Sequence, residues 1–107
     1  MDCLFCKIAR KEIPVQLVYE DENAVAFYDI HPKAPLHLLI VSKKHIDSVS
    51  HLEQEDKALV GELLFIAKVI AQKYQLSGYK LQINVGRDGG QEIDHLHIHL
   101  LSNTKID

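Results

Sequence analysis

The six residues from His95 to Leu100 read HLHIHL, which sets three of the chain's seven histidines at every second position. Successive side chains of a β-strand alternate faces at about 3.3 Å per residue, so His95, His97 and His99 would share one face at intervals of roughly 6.6 Å. Leu96, Ile98 and Leu100 would then seat the strand on a core, whereas a helix would scatter the histidines around a cylinder. Three chemistries suit such a row. It is a solvated strand that happens to carry histidine; or it is a metal site, since residues i and i+2 can reach one Zn²⁺ at ~2.0–2.1 Å with help from elsewhere. In the third, a neutral imidazole attacks phosphorus while neighbouring imidazoles and main-chain N–H groups hold the developing charge. Crowded imidazoles oppose one another's protonation, which keeps at least one neutral and nucleophilic near neutral pH.

Directly ahead of the row lies NVGRDGGQ, Asn84 to Gln91. Gly86, Gly89 and Gly90 allow backbone conformations that aim N–H groups at an anion, although Asp88-Gly89 is also an ordinary hairpin turn. Placed against three aligned histidines, this loop favours phosphate chemistry over zinc hydrolysis. Cys3 and Cys6, the two cysteines, form a C-x-x-C. In a reducing compartment that spacing reads as metal ligands, as a redox pair or as free buried thiols, and the strand that precedes a redox C-x-x-C is missing.

These groups need elements to position them. Cys3 to Arg10 can form a few helical turns, after which Pro14 sets an extended stretch. Val15 to Glu20 and Ala24 to Ile30 read as strands joined through Asp21-Glu22-Asn23. His37 to Ser42 is a third strand, entered past Pro32 and Pro35. Between Leu52 and Tyr74 the period changes, and Leu59, Leu63, Ile66, Ala67, Ile70 and Tyr74 make the stripe of one long helix. Ser50 with Glu53, or Asp56, would cap its start, and Gly78 ends the region. Tyr79 to Val85 alternates as a fourth strand, and the histidine row is the fifth. The expectation is an α+β domain over residues 1–107: a mostly antiparallel sheet of about five strands, one long helix and a short N-terminal helix.

Composition narrows the partners. With 107 residues, 47% hydrophobic and 25% charged, the chain has the size and make-up of one ordered domain. A formal charge of −3, with dispersed lysines and arginines, lacks the basic stripe that polymeric nucleic acid selects. No apolar run approaches the roughly 18 residues that span a bilayer, and Asp2, Lys7, Arg10, Lys11 and Glu12 stand where a signal peptide is apolar. A cytoplasmic protein acting on a small ligand is expected.

GGQEIDHLHIHLL, Gly89 to Leu101, closely resembles the signature of the histidine-triad family. KIARKEIP (Lys7 to Pro14), VYEDENAVAFYDI (Val18 to Ile30) and PKAPLHLLIVSKKHI (Pro32 to Ile46) resemble the N-terminal half of its Hint branch, the nucleotide phosphoramidases. The resemblance implies a hydrolase that cleaves purine nucleoside monophosphate conjugates, at a P–N or related linkage, through a covalent nucleotidyl-histidine. His97 would be the nucleophile, His99 would contact the phosphate and assist the leaving group, and His37 matches a further histidine beside the triad. Asn84 and the Gln91-Glu92 turn match phosphate-side positions, and Asp29 matches the carboxylate that accepts from the ribose hydroxyls. Leu4, Phe5, Ile8, Phe27, Ile30 and Leu39 match the apolar slot for the base of an AMP-type ligand.

The resemblance also implies a structural zinc held by Cys3, Cys6, His45 and His95, with no catalytic cofactor, and a homodimer with a continuous sheet. Two departures stand out. Glu92 replaces the serine of many members, and SNTKID ends the chain without the longer tail that reaches a dimer partner's site. Within the same resemblance stand two alternatives: a dinucleoside polyphosphate hydrolase, or a nucleotide-binding regulatory protein with vestigial activity. His31 and His51 have no assigned role.

Overall fold

The computed structural model describes residues 3–104. Helix α1 (Leu4–Ala9) leads into strands β1 (Leu17–Glu20), β2 (Ala24–Tyr28) and β3 (Leu36–Ser42), then helix α2 (Lys57–Lys73), strand β4 (Lys80–Gln82) and strand β5 (His97–Ser102). The strands form one sheet in the order β1-β2-β3-β5-β4, and every neighbouring pair is antiparallel. This is the α+β architecture expected from the sequence. The histidine strand is inserted between β3 and β4, so it is an interior strand, with Val41 opposite His97 and Leu39 and Gln82 opposite His99.

Alternation along the strands separates two layers. Ala24, Ala26, Leu38, Ile40, Ile98 and Leu100 face α2, whose stripe of Leu63, Ile66, Ala67, Ile70 and Ala71 recurs at three- and four-residue steps. Each large aliphatic side chain buried there contributes roughly 1.5–3 kcal/mol. On the opposite face, α1 lays Phe5, Ile8 and Ala9 over Val25, Phe27, Leu39 and Val41. The α1 roof covers β2 and β3, while all three residues of β4 remain exposed.

Several boundaries differ from the expected ones for local reasons. Strand β2 stops at Tyr28 because the Asp29 side chain accepts from the His31 N–H and starts a turn, which leaves Ile30 81% exposed. Helix α2 begins at Lys57, after a short 3₁₀ turn in which the buried Asp56 carboxylate accepts from the Glu53 N–H and from Lys44. The helix ends at Lys73, five residues before Gly78: Gln75 takes a left-handed φ of 55°, and Leu76 N–H closes on the Ala71 carbonyl. Strand β5 opens at His97, so His95 lies in the bend before it, its N–H bonded to the Ile93 carbonyl.

Candidate active site and metal cluster

His95 and His97 are two residues apart and serve different surroundings. His95 is fully buried; its Nε2 donates to the Ser42 carbonyl at 2.7 Å, so its Nδ1 carries the lone pair. That lone pair faces Cys3 Sγ at 3.2 Å and Cys6 Sγ at 3.5 Å. His45 repeats the arrangement: Nε2 donates to Asp47 Oδ1 at 2.6 Å, and Nδ1 lies 3.2 Å from Cys6 Sγ. The four donor atoms all fall within 4.8 Å of one another. A tetrahedral ion with Zn–S ~2.3 Å and Zn–N ~2.0–2.1 Å sets sulfur and nitrogen about 3.5 Å apart, and the observed separations approach that value.

The donor set fits a zinc ion in chemistry as well as in distance. Each imidazole has its other nitrogen tied to an oxygen, the outer-sphere support that metal-bound histidine requires. Burial and the neighbouring Cys3 thiol push the Cys6 thiol above its ordinary value, so its thiolate forms readily only beside a cation. Cys3 Sγ also caps α1, accepting from the Cys6 N–H at 3.4 Å. The cluster therefore binds the α1 roof to the approach of β5.

His97 turns the other way. Its Nδ1–H donates to the His95 carbonyl at 2.6 Å, which leaves the lone pair on Nε2. The ring is 8% exposed and meets the edge of Phe5, with centroids 5.1 Å apart. Burial holds its pKa below the ordinary histidine value, so the ring is neutral near neutral pH. His99 follows on the same face, its centroid 4.9 Å from that of His97.

His37 fixes the tautomer of His99. The Lys33 main-chain N–H donates to His37 Nδ1 at 3.1 Å, so the His37 proton sits on Nε2 and donates to His99 Nδ1 at 2.9 Å. His99 is left with an N–H at Nε2, opposite in kind to the lone pair of His97. Burial first, and then the neighbouring His97 and His37, push the His99 pKa down to about 4. Asp29 Oδ2 lies 3.4 Å from His37 Nε2, which brings three donor atoms together at Asp29, His37 and His99. A metal there would have to displace the His37 Nε2 proton while Nδ1 stays engaged with Lys33, so these three side chains are held by hydrogen bonds through that proton.

The glycine loop departs from its expected role. Gly86 and Gly90 adopt φ values of 72° and 87°, but the N–H groups of Gly89 and Gln91 close on the Gly86 carbonyl and that of Gly90 on the Arg87 carbonyl. A Cβ on Gly90 would stand 3.2 Å from Asn84 Nδ2, which itself donates to the Gly89 carbonyl. The Gln91 amide is buried and fully spent: Oε1 accepts from the Gly86 N–H, while Nε2 donates to the carbonyls of Asp47 and Ile93. Gln91 is thus a strut between the loop and the metal cluster, and its side chain is not free to hold an oxyanion. Among the described residues, the N–H groups of Glu92 and Ile93 meet no acceptor, and the Glu92 side chain is exposed without a partner. The Arg87–Asp94 pair, bonded through both guanidinium nitrogens, clamps the loop.

Of the six apolar positions, Phe5, Ile8, Phe27 and Leu39 are buried together, whereas Leu4 and Ile30 are 44% and 81% exposed. Sequence reasoning missed the main-chain carbonyls of Ser42 and His95 and the N–H of Lys33, which carry no side-chain signal. Asp47, two residues after His45, was the one legible partner.

The family model for the C-terminal binding region of scavenger mRNA decapping enzyme matches residues 2–106. Protein HitA of Neisseria gonorrhoeae is 50% identical over 101 residues, 94% of each chain. The chain belongs to the histidine-triad family. Solved structures agree. A HIT family hydrolase from Legionella pneumophila superposes with a TM-score of 0.93 at 49% identity, over 97% of this chain and 95% of that one. A histidine triad protein from Clostridium difficile gives 0.94 at 42% identity, over 100% and 95%. In this histidine-triad protein, no helix among the described residues is long and apolar enough to cross a membrane.

Proposed function

We propose that the protein is a nucleotide hydrolase of the phosphoramidase type. The substrate is a purine nucleoside monophosphate conjugate joined through a P–N or related linkage. The observation that carries this reading is the opposed pair of tautomers, a neutral lone pair at His97 Nε2 beside an N–H at His99 Nε2.

In this reading His97 Nε2 attacks the α-phosphorus and the P–N bond breaks. The leaving nitrogen departs as the amine, protonated from solvent. The His99 N–H and the N–H groups of Glu92 and Ile93 hold the phosphoryl oxygens, a preorganised charge site. Water then cleaves the P–Nε2 bond, releasing the nucleoside monophosphate and restoring neutral His97. The base lies against Leu4 and Ile30 at the edge of the packed Phe5, Ile8, Phe27 and Leu39, and Asp29 accepts from the ribose hydroxyls. Asn84 orders the loop beside the phosphate.

Cys3, Cys6, His45 and His95 would hold a structural zinc. A four-ligand ion has no open position for water, so its contribution is to folding. We place the protein in the cytoplasm as a homodimer, paired through the edge strand β4 and the segment that follows it, where Leu81, Ile83 and Val85 alternate as exposed apolar side chains.

The decisive experiment is AMP release from an adenosine phosphoramidate by the wild-type chain and by His97→Ala at equal Tm. The expected result is turnover by the wild type and a loss of several orders of magnitude in the variant. A wild type that binds AMP without turning over any conjugate would replace this reading with a nucleotide-binding protein. Faster cleavage of dinucleoside polyphosphates than of phosphoramidates would move the substrate class.

A further inference from the structure

The two carboxylate oxygens of Asp29 have different partners. Oδ1 accepts from the His31 main-chain N–H at 2.8 Å, and the Asp29 N–H is bonded to the His37 carbonyl, so the side chain is anchored just after β2 and against β3. Oδ2 stands 3.4 Å from His37 Nε2, the nitrogen whose proton is bonded to His99 Nδ1 at 2.9 Å. The His37 side chain is 2% exposed and that of Asp29 is 18% exposed, so a ligand reaches the carboxylate from outside where it cannot reach the His37 ring.

One proton on His37 therefore has two acceptors within reach. The shorter bond goes to His99 and keeps the His99 proton on Nε2, because the protonated nitrogen of an imidazole is set by what its other nitrogen meets. The carboxylate is the stronger acceptor by nature, since an ionised partner strengthens a hydrogen bond. Its charge favours the protonated form of His37, His97 and His99 alike, while Lys33 opposes it at His37 and His99. A small tilt of the His37 ring toward Oδ2 would release His99 Nδ1 and with it the tautomer. A His99 with its lone pair on Nε2 repels a phosphoryl oxygen instead of donating to it.

We infer that Asp29 is a positioning residue that transmits occupancy of the ribose subsite to His99. Ribose hydroxyls that donate to Oδ2 occupy its lone pairs and disperse its charge, so the His37 proton stays with His99 and the His99 N–H stays available to phosphate. The inference rests on the phosphoramidase reading, in which Asp29 accepts from the ribose, and it adds that the sugar governs the chemical step as well as binding. Ribonucleotides are then selected over deoxynucleotides in rate.

An adenosine phosphoramidate and its 2′-deoxy, 3′-deoxy and 2′,3′-dideoxy forms, all carrying the same amine, test it. The readout is the single-turnover rate at saturating enzyme, which separates chemistry from binding and product release. In the wild type this rate is expected to fall by about three- to tenfold from the ribose to the dideoxy sugar, the scale of one hydrogen bond. Asp29→Asn keeps an acceptor for the His31 N–H but loses the charge that competes for the His37 proton, so its rate should be nearly the same for both sugars. A hydroxyl contact that only binds substrate shifts KM and leaves this rate alone. A wild-type rate indifferent to the sugar, or a sugar dependence that survives Asp29→Asn, overturns the coupling.

Nitrogen NMR of the histidine rings reads the same coupling without turnover. With AMP present, His99 should carry its proton on Nε2 alone, whereas with 2′,3′-dideoxy-AMP part of the population should carry it on Nδ1. One His99 spectrum for both nucleotides overturns the coupling. A difference between them, in a wild type that hydrolyses none of the conjugates, upholds the coupling and overturns the hydrolase reading.

Discussion

His95 and His97 stand two residues apart in one short motif, yet one aims its lone pair at sulfur and the other turns it away from the cysteines. Their difference lies in which ring nitrogen is tied down. The Ser42 carbonyl accepts from His95 Nε2 and leaves Nδ1 to the cysteines, while the His95 carbonyl accepts from His97 Nδ1 and leaves the lone pair on Nε2. Two main-chain oxygens thus divide one histidine row between the Cys3–Cys6–His45 cluster and the side of His99. Burial disfavours charge at both, with the His95 pKa pushed down to about 4 and that of His97 also held low.

The largest break in this comparison is removal of the metal. If Cys3, Cys6, His45 and His95 hold zinc, stripping it with a strong chelator, or making Cys6→Ser, should cost several kcal/mol, because ligand-binding energy at such a site is folding energy. The check is Tm with and without added zinc. Activity per folded molecule should fall far less than stability. A Tm indifferent to chelator and to zinc would leave the cluster as a packed thiol–imidazole network.

A smaller effect separates the two sites by pH. His99 and His37 are both held below the ordinary histidine value, His99 near 4, so the unfolded chain takes up their protons first as pH falls. Between about 6.5 and 4 the unfolded state therefore binds more protons, and stability rises with pH across that window. It is complete above about 6.5 and is lost progressively on acidification towards 4. Thermal unfolding should show Tm several degrees lower at pH 5 than at pH 7. His99→Gln, which cannot titrate, should flatten part of that slope, whereas an unchanged slope would move the acid dependence to the other buried histidines, His37, His95 and His97.

Much of this arrangement was legible in the sequence. The period-2 histidines, the Leu63-to-Ile70 stripe and the C-x-x-C each depend on side-chain identity at fixed spacing; the stripe and the C-x-x-C take the expected elements, and of the histidines His97 and His99 lie on the expected strand. The rest was carried by the main chain. Nothing in the residue types says that His95 bends out ahead of β5, or that Gln75 rather than Gly78 turns α2 off. Nor do they say that Gln91 spends its whole amide on Gly86, Asp47 and Ile93.

The smallest expected effect lies at Glu92, the position at which the phosphate side of the site is least suited to phosphate. Its N–H is free to donate, but its side chain is an exposed, unpaired carboxylate on the same residue. Two unit charges about 6 Å apart in water repel by under 1 kcal/mol, and at the effective dielectric of a protein surface by a few times that before ionic screening. Glu92→Ser removes the repulsion, keeps the N–H and adds a hydroxyl donor. It should therefore raise kcat/KM for an adenosine phosphoramidate by a few-fold, mainly at low salt, with Tm unchanged. Glu92→Gln, which removes the charge without shortening the side chain, separates repulsion from the new hydroxyl. If both substitutions leave the rate unaltered, Glu92 points wholly into solvent, and the oxyanion donors reduce to His99 and the two main-chain N–H groups.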